Sequence, residues 1–272
     1  MNYSVLMSVY YKEKPEFLKQ SMDSIWNQTV QTNDFVLVCD GPLTTELDKV
    51  IQKMEAEHKE SLNVVRLPEN KGLGISLNEG IKKCRNELVA RMDSDDISIQ
   101  DRCERQLLIF ENNPDISIVS GTIEEFKENP DIVETSRILP QQNEDIISFS
   151  KKRNPFNHPC VMYRKSAVEA AGGYQDFFLL EDYYLWIRML NAGAKGYNIK
   201  EPILRMRTGA GMYKRRSGFR YVQSQIQLFR YMRRIGFISF PQYLKSVISR
   251  TIGSLIPSSI RERVYKFFLR KS

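Results

Sequence analysis

The sequence predicts an α/β fold with a mainly parallel sheet covered by helices on both faces. Three observations carry the prediction. Over the first hundred residues, short runs rich in large apolar and β-branched side chains alternate with longer stretches of helical periodicity. Carboxylates and glycines gather where those runs end, as in Cys39-Asp40-Gly41 and Met92-Asp93-Ser94-Asp95-Asp96. At 272 residues, with 42% apolar and 27% charged residues, the chain is long enough for one sizeable α/β domain with an appendage.

Ser4 to Val9 forms the first strand candidate. Pro15 suits a helix start, where its missing N–H leaves no bond unmade, and Phe17, Leu18, Met22, Ile25 and Trp26 follow on one face. Phe35 to Cys39 is the second strand and ends in the turn Asp40-Gly41-Pro42. A charged helix over 44–60, a strand over 62–67, a helix over 73–84 and a strand over 87–92 complete a βαβαβαβ order. Such an order implies parallel strands, and ligands in these sheets bind beyond the strands' carboxyl ends. Asp40 and Asp93 both fall there. Further along, a helix over 101–112 and a strand from Ile116 to Ser120 lead into shorter segments that suggest mixed or antiparallel strands. A strong helix begins near Glu181 and runs towards Asn191-Ala192-Gly193.

The net charge of +7 is unevenly distributed. Residues 205–272 hold 16 Lys or Arg against the single acid Glu262, a net of +15, which leaves −8 for residues 1–204. Cations interleave with bulky apolar groups, as in Phe229-Arg230-Tyr231-Met232-Arg233-Arg234. This composition suits an anionic membrane interface, a nucleic acid or a basic helical cap folded onto the domain. Cys39, Cys84, Cys103 and Cys160 show no CxxC spacing, and no secretory signal is recognisable. They read as reduced thiols of a cytosolic protein without a zinc site. No stretch approaches the ~18 apolar residues needed to span a bilayer.

The segment from Leu88 to Asp96 is the most informative. An apolar run leads through Arg91 into three carboxylates within four residues. Carboxylates so close repel one another, and a hard divalent metal carrying phosphate is one compensating partner. The alternative is a solvated acidic turn that caps the next helix, because Asp is a favoured N-cap. Three other segments carry possible chemistry. Ser8-Val9-Tyr10 ends the first strand, and Asp40 precedes a glycine that permits close approach of a ligand. Asn70-Lys71-Gly72-Leu73-Gly74 leads from a strand into a helix, where backbone N–H groups can hold an anion, but lacks the Gly-Lys-Ser/Thr of a P-loop.

Taken in order, Ser8-Val9-Tyr10, Ser24-Ile25-Trp26-Asn27-Gln28-Thr29, Cys39-Asp40-Gly41, Asn70-Lys71-Gly72, Asn78-Glu79-Gly80 and Arg91-Met92-Asp93-Ser94-Asp95-Asp96 resemble the inverting family 2 glycosyltransferases of the GT-A fold. Asn157-His158-Pro159-Cys160, Gly172-Gly173-Tyr174 and Leu180-Glu181-Asp182-Tyr183-Tyr184-Leu185-Trp186 extend the match, which covers about residues 3–207. Cys39-Asp40-Gly41-Pro42 stands where members of the family usually read Asp-Asp-Gly-Ser.

The resemblance implies a Rossmann-like catalytic domain over 1–207, with a nucleotide-binding half (1–96) and an acceptor half (97–207), followed by a basic amphipathic helical extension over 208–272. It implies a donor site built by Val9, Tyr10, Asp40, Lys71, Asn78, Arg91 and Asp93, and Mn²⁺ or Mg²⁺ held by Asp95 with Asp93. Asp40 would meet uracil, Asp93 would meet donor hydroxyls, and Asp182 would be the general base. Glu181, His158, Arg207, Arg215 and Arg216 are candidates for phosphate or acceptor contacts.

The similarity to bacterial O-antigen and capsule enzymes implies transfer of glucose or galactose from a UDP-sugar to GlcNAc-diphospho-undecaprenol in a β-1,3 linkage. Another nucleotide sugar and a GalNAc-lipid acceptor are the alternatives. The enzyme would be peripheral at the cytoplasmic face of the inner membrane, against an anionic surface and without a nucleic-acid partner. The rival class is a non-catalytic, basic nucleic-acid-binding protein.

Overall fold

The computed structural model describes residues 1–209 and 218–255. In it β1 (Tyr3–Val9), α1 (Pro15–Trp26), β2 (Asp34–Cys39), α2 (Thr45–Glu57), β3 (Leu62–Arg66), α3 (Leu73–Ile81) and β4 (Leu88–Asp93) follow in the expected order. The four strands are parallel and ordered β3-β2-β1-β4. β1 and β2 are buried along nearly their whole length, which is why their sequences are apolar runs rather than alternating patterns. One core, with Leu18, Met22, Leu47, Ile51 and Phe110, covers one sheet face. A second, with Leu77, Ile81, Leu185, Trp186 and Met189, covers the other.

The chain leaves β1 towards β2 and β3 on one side, then returns to place β4 on the other. That reversal opens a crevice at the strands' carboxyl ends. Tyr10, Asp40 and Asp93 lie at this edge, one from each of β1, β2 and β4.

The reading of the acidic turn as a helix cap is corrected. A short strand, β5 (Ile97–Ser98), separates the turn from α4 (Arg102–Asn112) and pairs antiparallel with β9 (Lys195–Arg207), Ile97 opposite Arg205. Asp101 stands at the start of α4, but its carboxylate goes to Arg105 at 2.8 Å and makes no side-chain cap. Strand pairing therefore holds the turn, and the helix that follows begins elsewhere.

The expected strand from Ile116 continues to Phe126 as β6. It runs parallel to β9 and antiparallel to β7 (Thr135–Arg137) and β8 (Met162–Arg164), and β8 joins this half to β4. The second half is thus mixed, as expected, and the two halves form one nine-stranded sheet. Between these strands lie α5 (Asn143–Ser150), a 3-10 turn (His158–Cys160), α6 (Lys165–Ala170) and α7 (Glu181–Asn191).

After residue 207 the chain forms α8 (Phe219–Arg234) and α9 (Phe240–Leu255). Leu228, Phe229 and Met232 of α8 are buried with Leu180, Tyr183 and Ile187 at and within α7, forming a third core. This part of the basic extension is therefore folded onto the domain.

A buried polar network stands beneath the acidic turn. Arg102 donates to the Arg91 carbonyl at 2.7 Å and to Gln106 Oε1 at 3.1 Å. Gln106 Nε2 donates to the carbonyls of Val119 at 3.1 Å and Cys160 at 2.8 Å, and Gln28 ties Ile99 to the N–H of Cys103. Gln106→Leu keeps the volume but removes the donor to two buried carbonyls and the acceptor of the Arg102 Nε–H, which should cost about 2–4 kcal/mol. A urea titration reads this as a lower midpoint with an unchanged slope; an unshifted midpoint would show that the network is dispensable.

Candidate active site

Arg91 lies on β4 with its side chain 1% exposed, and its guanidinium grips the Asp93 carboxylate two residues on through a pair of hydrogen bonds. Burial opposes its charge, but Asp93, Tyr174 and Asp96 hold it protonated. The turn beyond is tied on several sides. Ser21 Oγ donates to the Asp93 carbonyl at 2.7 Å, and Ser94 Oγ donates to Glu13 Oε2 at 2.6 Å. Glu13 therefore joins the cluster, although nothing in its local sequence marks it.

Asp40 is nearly buried. Its two carboxylate oxygens accept the backbone N–H groups of Lys71 at 2.7 Å and Gly72 at 3.0 Å. Gly41, at φ +85°, leaves room for this loop, since a Cβ there would sit 2.6 Å from the Asn70 nitrogen. The Val9 carbonyl accepts from the Asp40 N–H at 2.8 Å, Tyr10 is half-buried beside Tyr11, and the Lys71 ammonium is 3.7 Å from Glu69. The structure thus brings Val9, Tyr10, Asp40 and Lys71 together at one edge. Asn78 has a different immediate partner: its amide donates to the Tyr174 carbonyl and accepts the Tyr174 N–H at 2.8 Å. Gly173, at φ +65°, makes that approach possible.

Glu181 and Asp182 open α7. Asn154 Nδ2 donates to Asp182 Oδ2 at 2.6 Å, and the Tyr183 N–H donates to Oδ1 at 2.7 Å. Asn154 was not identifiable from sequence, because it is a loop residue remote from the helix it serves. Leu179, just before this pair, holds φ at +58°, the one non-glycine residue with positive φ among the described residues. Burial, then the neighbouring Asp182 charge, pushes the Glu181 carboxyl up to about 7, with Arg91 acting against the rise. Glu181 also approaches the start of α3, since a Cβ at Gly74 would lie 3.8 Å from its own Cβ.

His158 is buried, and its Nε2 is 2.9 Å from the Tyr174 hydroxyl. Burial and then Arg91 hold its pKa well below the usual histidine value, so the ring is neutral. Arg207 is engaged with the acidic turn. Its backbone N–H donates to Asp96 Oδ1 at 2.8 Å, Nε donates to the Asp95 carbonyl at 3.1 Å, and its guanidinium lies between the rings of Phe17 at 3.8 Å and Phe126 at 4.6 Å. Arg215 and Arg216 lie outside the described residues.

Asp93, Asp95 and Asp96 each offer an oxygen within 4.8 Å of the others. Burial first, then repulsion from Asp93 and Glu13, pushes Asp95 up to about 7, and burial with Asp95 and Asp93 raises Asp96 well above the ordinary carboxyl range. Asp96 Oδ2 is buried without a protein partner. These hard oxygens, short of positive charge, fit a divalent cation.

Carboxyls raised in the folded state make it bind more protons than the unfolded chain. Stability contributed by Asp95 should accordingly fall as pH rises from about 4 to its folded pKa of about 7 and then level off. Thermal melts in EDTA should show this decline, and Asp95→Asn should make it shallower, leaving the part due to Glu181 and Asp96, and raise Tm at neutral pH. Mn²⁺ at ~100 times its Kd should stabilise the native chain by about 2.7 kcal/mol. An equal Mn²⁺ shift in Asp95→Asn would remove Asp95 from the site.

Residues 4–172 match the family described as Glycosyl transferase family 2. The chain is 41% identical to a glycosyltransferase of Haemophilus influenzae over 100% of both chains. It is 37% identical to the amylovoran biosynthesis glycosyltransferase AmsE of Erwinia amylovora, covering 97% of this chain and 98% of that one. It is 36% identical to the UDP-Gal:alpha-D-GlcNAc-diphosphoundecaprenol beta-1,3-galactosyltransferase of Escherichia coli, covering 99% and 97%. Among solved structures, the mannosyltransferase PcManGT of Pyrobaculum calidifontis, in complex with GDP-Man and Mn²⁺, superposes with a TM-score of 0.67 at 14% identity, over 98% of this chain and 81% of that one. That likeness establishes the GT-A architecture, and with the family match over residues 4–172 and full-length relatives at 36–41% identity, the chain belongs to glycosyltransferase family 2.

Proposed function

We propose that this glycosyltransferase moves a hexose, galactose or glucose, from a UDP-sugar to GlcNAc-diphospho-undecaprenol with inversion, forming a β-1,3 linkage in the repeat unit of a surface polysaccharide. The observation that carries the reading is the convergence of Arg91, Asp93, Glu181 and Asp182, from separate elements, on one electrostatic site. The full-length similarity to the Escherichia coli galactosyltransferase supports the donor and acceptor classes.

The residues divide the work as follows. Asp40 is held rigid by two backbone N–H groups, and the carboxylate lone pairs left over accept from the uracil N–H. Val9, Tyr10, Lys71 and Asn78 border the nucleoside, and Arg91 fixes Asp93 in the orientation that meets the sugar hydroxyls. Asp95 with Asp93 would hold Mn²⁺ or Mg²⁺, which supplies positive charge for the departing diphosphate. Asp182 takes the proton of the acceptor hydroxyl as that oxygen attacks the anomeric carbon from the face opposite the diphosphate. Asn154 aims the Asp182 carboxylate from the acceptor side. Glu181, His158 and the arginines near the acidic turn shape the diphosphate and acceptor surroundings. Because the acceptor is lipid-borne, the enzyme works as a peripheral protein at the cytoplasmic face of the inner membrane. Among the described residues, no helix is long and apolar enough to cross it.

Asp182→Asn should lower kcat roughly 10²- to 10⁴-fold while leaving UDP binding, read by calorimetry, unchanged. Near-normal turnover would dismiss Asp182 as the base. Radiolabelled UDP-glucose and UDP-galactose offered with synthetic GlcNAc- and GalNAc-diphospho-lipids, followed by linkage determination, test the substrates. Product from a GalNAc acceptor or another nucleotide sugar alone would replace the proposed pair.

A further inference from the structure

The basic helices beyond the catalytic site carry an apolar face that the domain does not use. On α9, Phe240, Leu244 and Ile248 are 59%, 46% and 49% exposed. Their i, i+4, i+8 spacing places them along one side of the helix. The opposite side is committed inward, where Ser246 is buried and the Arg250 guanidinium stacks on the ring of Phe229 at 4.2 Å. Arg233 and Arg234, in the last turn of α8, and Lys245 on α9 are exposed. Residues 218–255 contain six Lys or Arg and no Asp or Glu.

We propose that this face of α9, with the exposed cations Arg233, Arg234 and Lys245, docks the protein onto an anionic lipid bilayer, lying in the plane of the headgroups. Charge selects this occupant over the two that come from the chain itself. Residues 256–272 carry Arg261, Arg263, Lys266, Arg270 and Lys271 against Glu262 alone, so laying them over the face would bring like charges together. A second copy seated on the same face would do likewise. An anionic membrane offers both an apolar interior for Phe240, Leu244 and Ile248 and countercharge for these cations. Among the described residues this helix runs over 16, Phe240–Leu255, and none of their helices is long and apolar enough to cross a bilayer.

The attachment of α9 gives this docking a consequence for catalysis. The Arg250 guanidinium donates to the Lys152 carbonyl at 2.5 Å, two residues before Asn154, which holds Asp182. α9 therefore stands between a membrane on its exposed row and the strip of backbone that leads to Asn154. The docking face rests on its own exposure and charge, independently of the sugars assigned above.

The test compares the native chain with Leu244→Glu/Ile248→Glu and with Arg233→Gln/Arg234→Gln/Lys245→Gln in co-sedimentation with phosphatidylethanolamine–phosphatidylglycerol vesicles and with phosphatidylcholine vesicles. The native chain should prefer the anionic vesicles. The apolar double variant should lose about tenfold or more in partition, and the charge variant should lose the dependence on phosphatidylglycerol and on salt. Both variants should retain transfer to a water-soluble, short-chain diphospho-sugar acceptor, which separates docking from folding. Unchanged partition of the apolar variant, or equal binding of the native chain to both vesicle types, would overturn the proposal. So would a native dimer that the apolar variant converts to monomer without altering vesicle binding, since the face would then be an interface between copies. Failure of every sugar transfer with vesicle binding intact would instead strike the substrate reading alone.

Discussion

A guanidinium buried at the carboxyl edge of the sheet organises the site. Arg91 cannot be hydrated where β4 places it, so its charge must be met within the protein. Asp93 meets it through two hydrogen bonds, which fixes the first carboxylate of the acidic turn. The Arg91 backbone is itself pinned, its N–H donating to Val161 and its carbonyl accepting from Arg102. Its field also reaches Tyr174, His158 and Glu181. One buried cation thereby connects the acidic turn with Tyr174, His158 and the start of α7.

Two further couplings make the site a rigid unit. Asn78 grips the backbone of Tyr174, and Arg188 of α7 donates to the carbonyls of Ala171 and Gly173 in the same turn. The helices α3 and α7 are thus held through one Gly-Gly-Tyr turn. On the other side, Arg207 and the β5–β9 pairing clamp Asp95 and Asp96. Such mutual support is what keeps three repelling carboxylates in place, since their closeness is not a low-energy local arrangement.

The basic extension divides into two physical roles. Its buried residues complete a core on α7, and its exposed row on α9 remains free of that core among the described residues. Composition alone could not separate these roles, because cations and apolar groups alternate throughout the segment. Only the packing of α8 reveals which apolar side chains are already committed.

Local pattern in the sequence determined the first four strands and their helices, because a doubly covered parallel sheet demands uninterrupted apolar runs and amphipathic crossovers. It also located Asp40, the acidic turn and the Glu181-Asp182 helix start, since those motifs sit at element ends. The second half of the sheet was less legible. Ile97–Ser98 is too short to signal a strand, and it exists because β9 pairs with it, which displaced the helix-cap reading of the acidic turn. Tertiary structure alone decided that Glu13 joins the acids, that Asn154 holds Asp182, that Asn78 first serves Tyr174, and that Arg207 braces the turn. Each of these joins residues distant in sequence through burial and hydrogen bonding, and no local spacing encodes such a meeting.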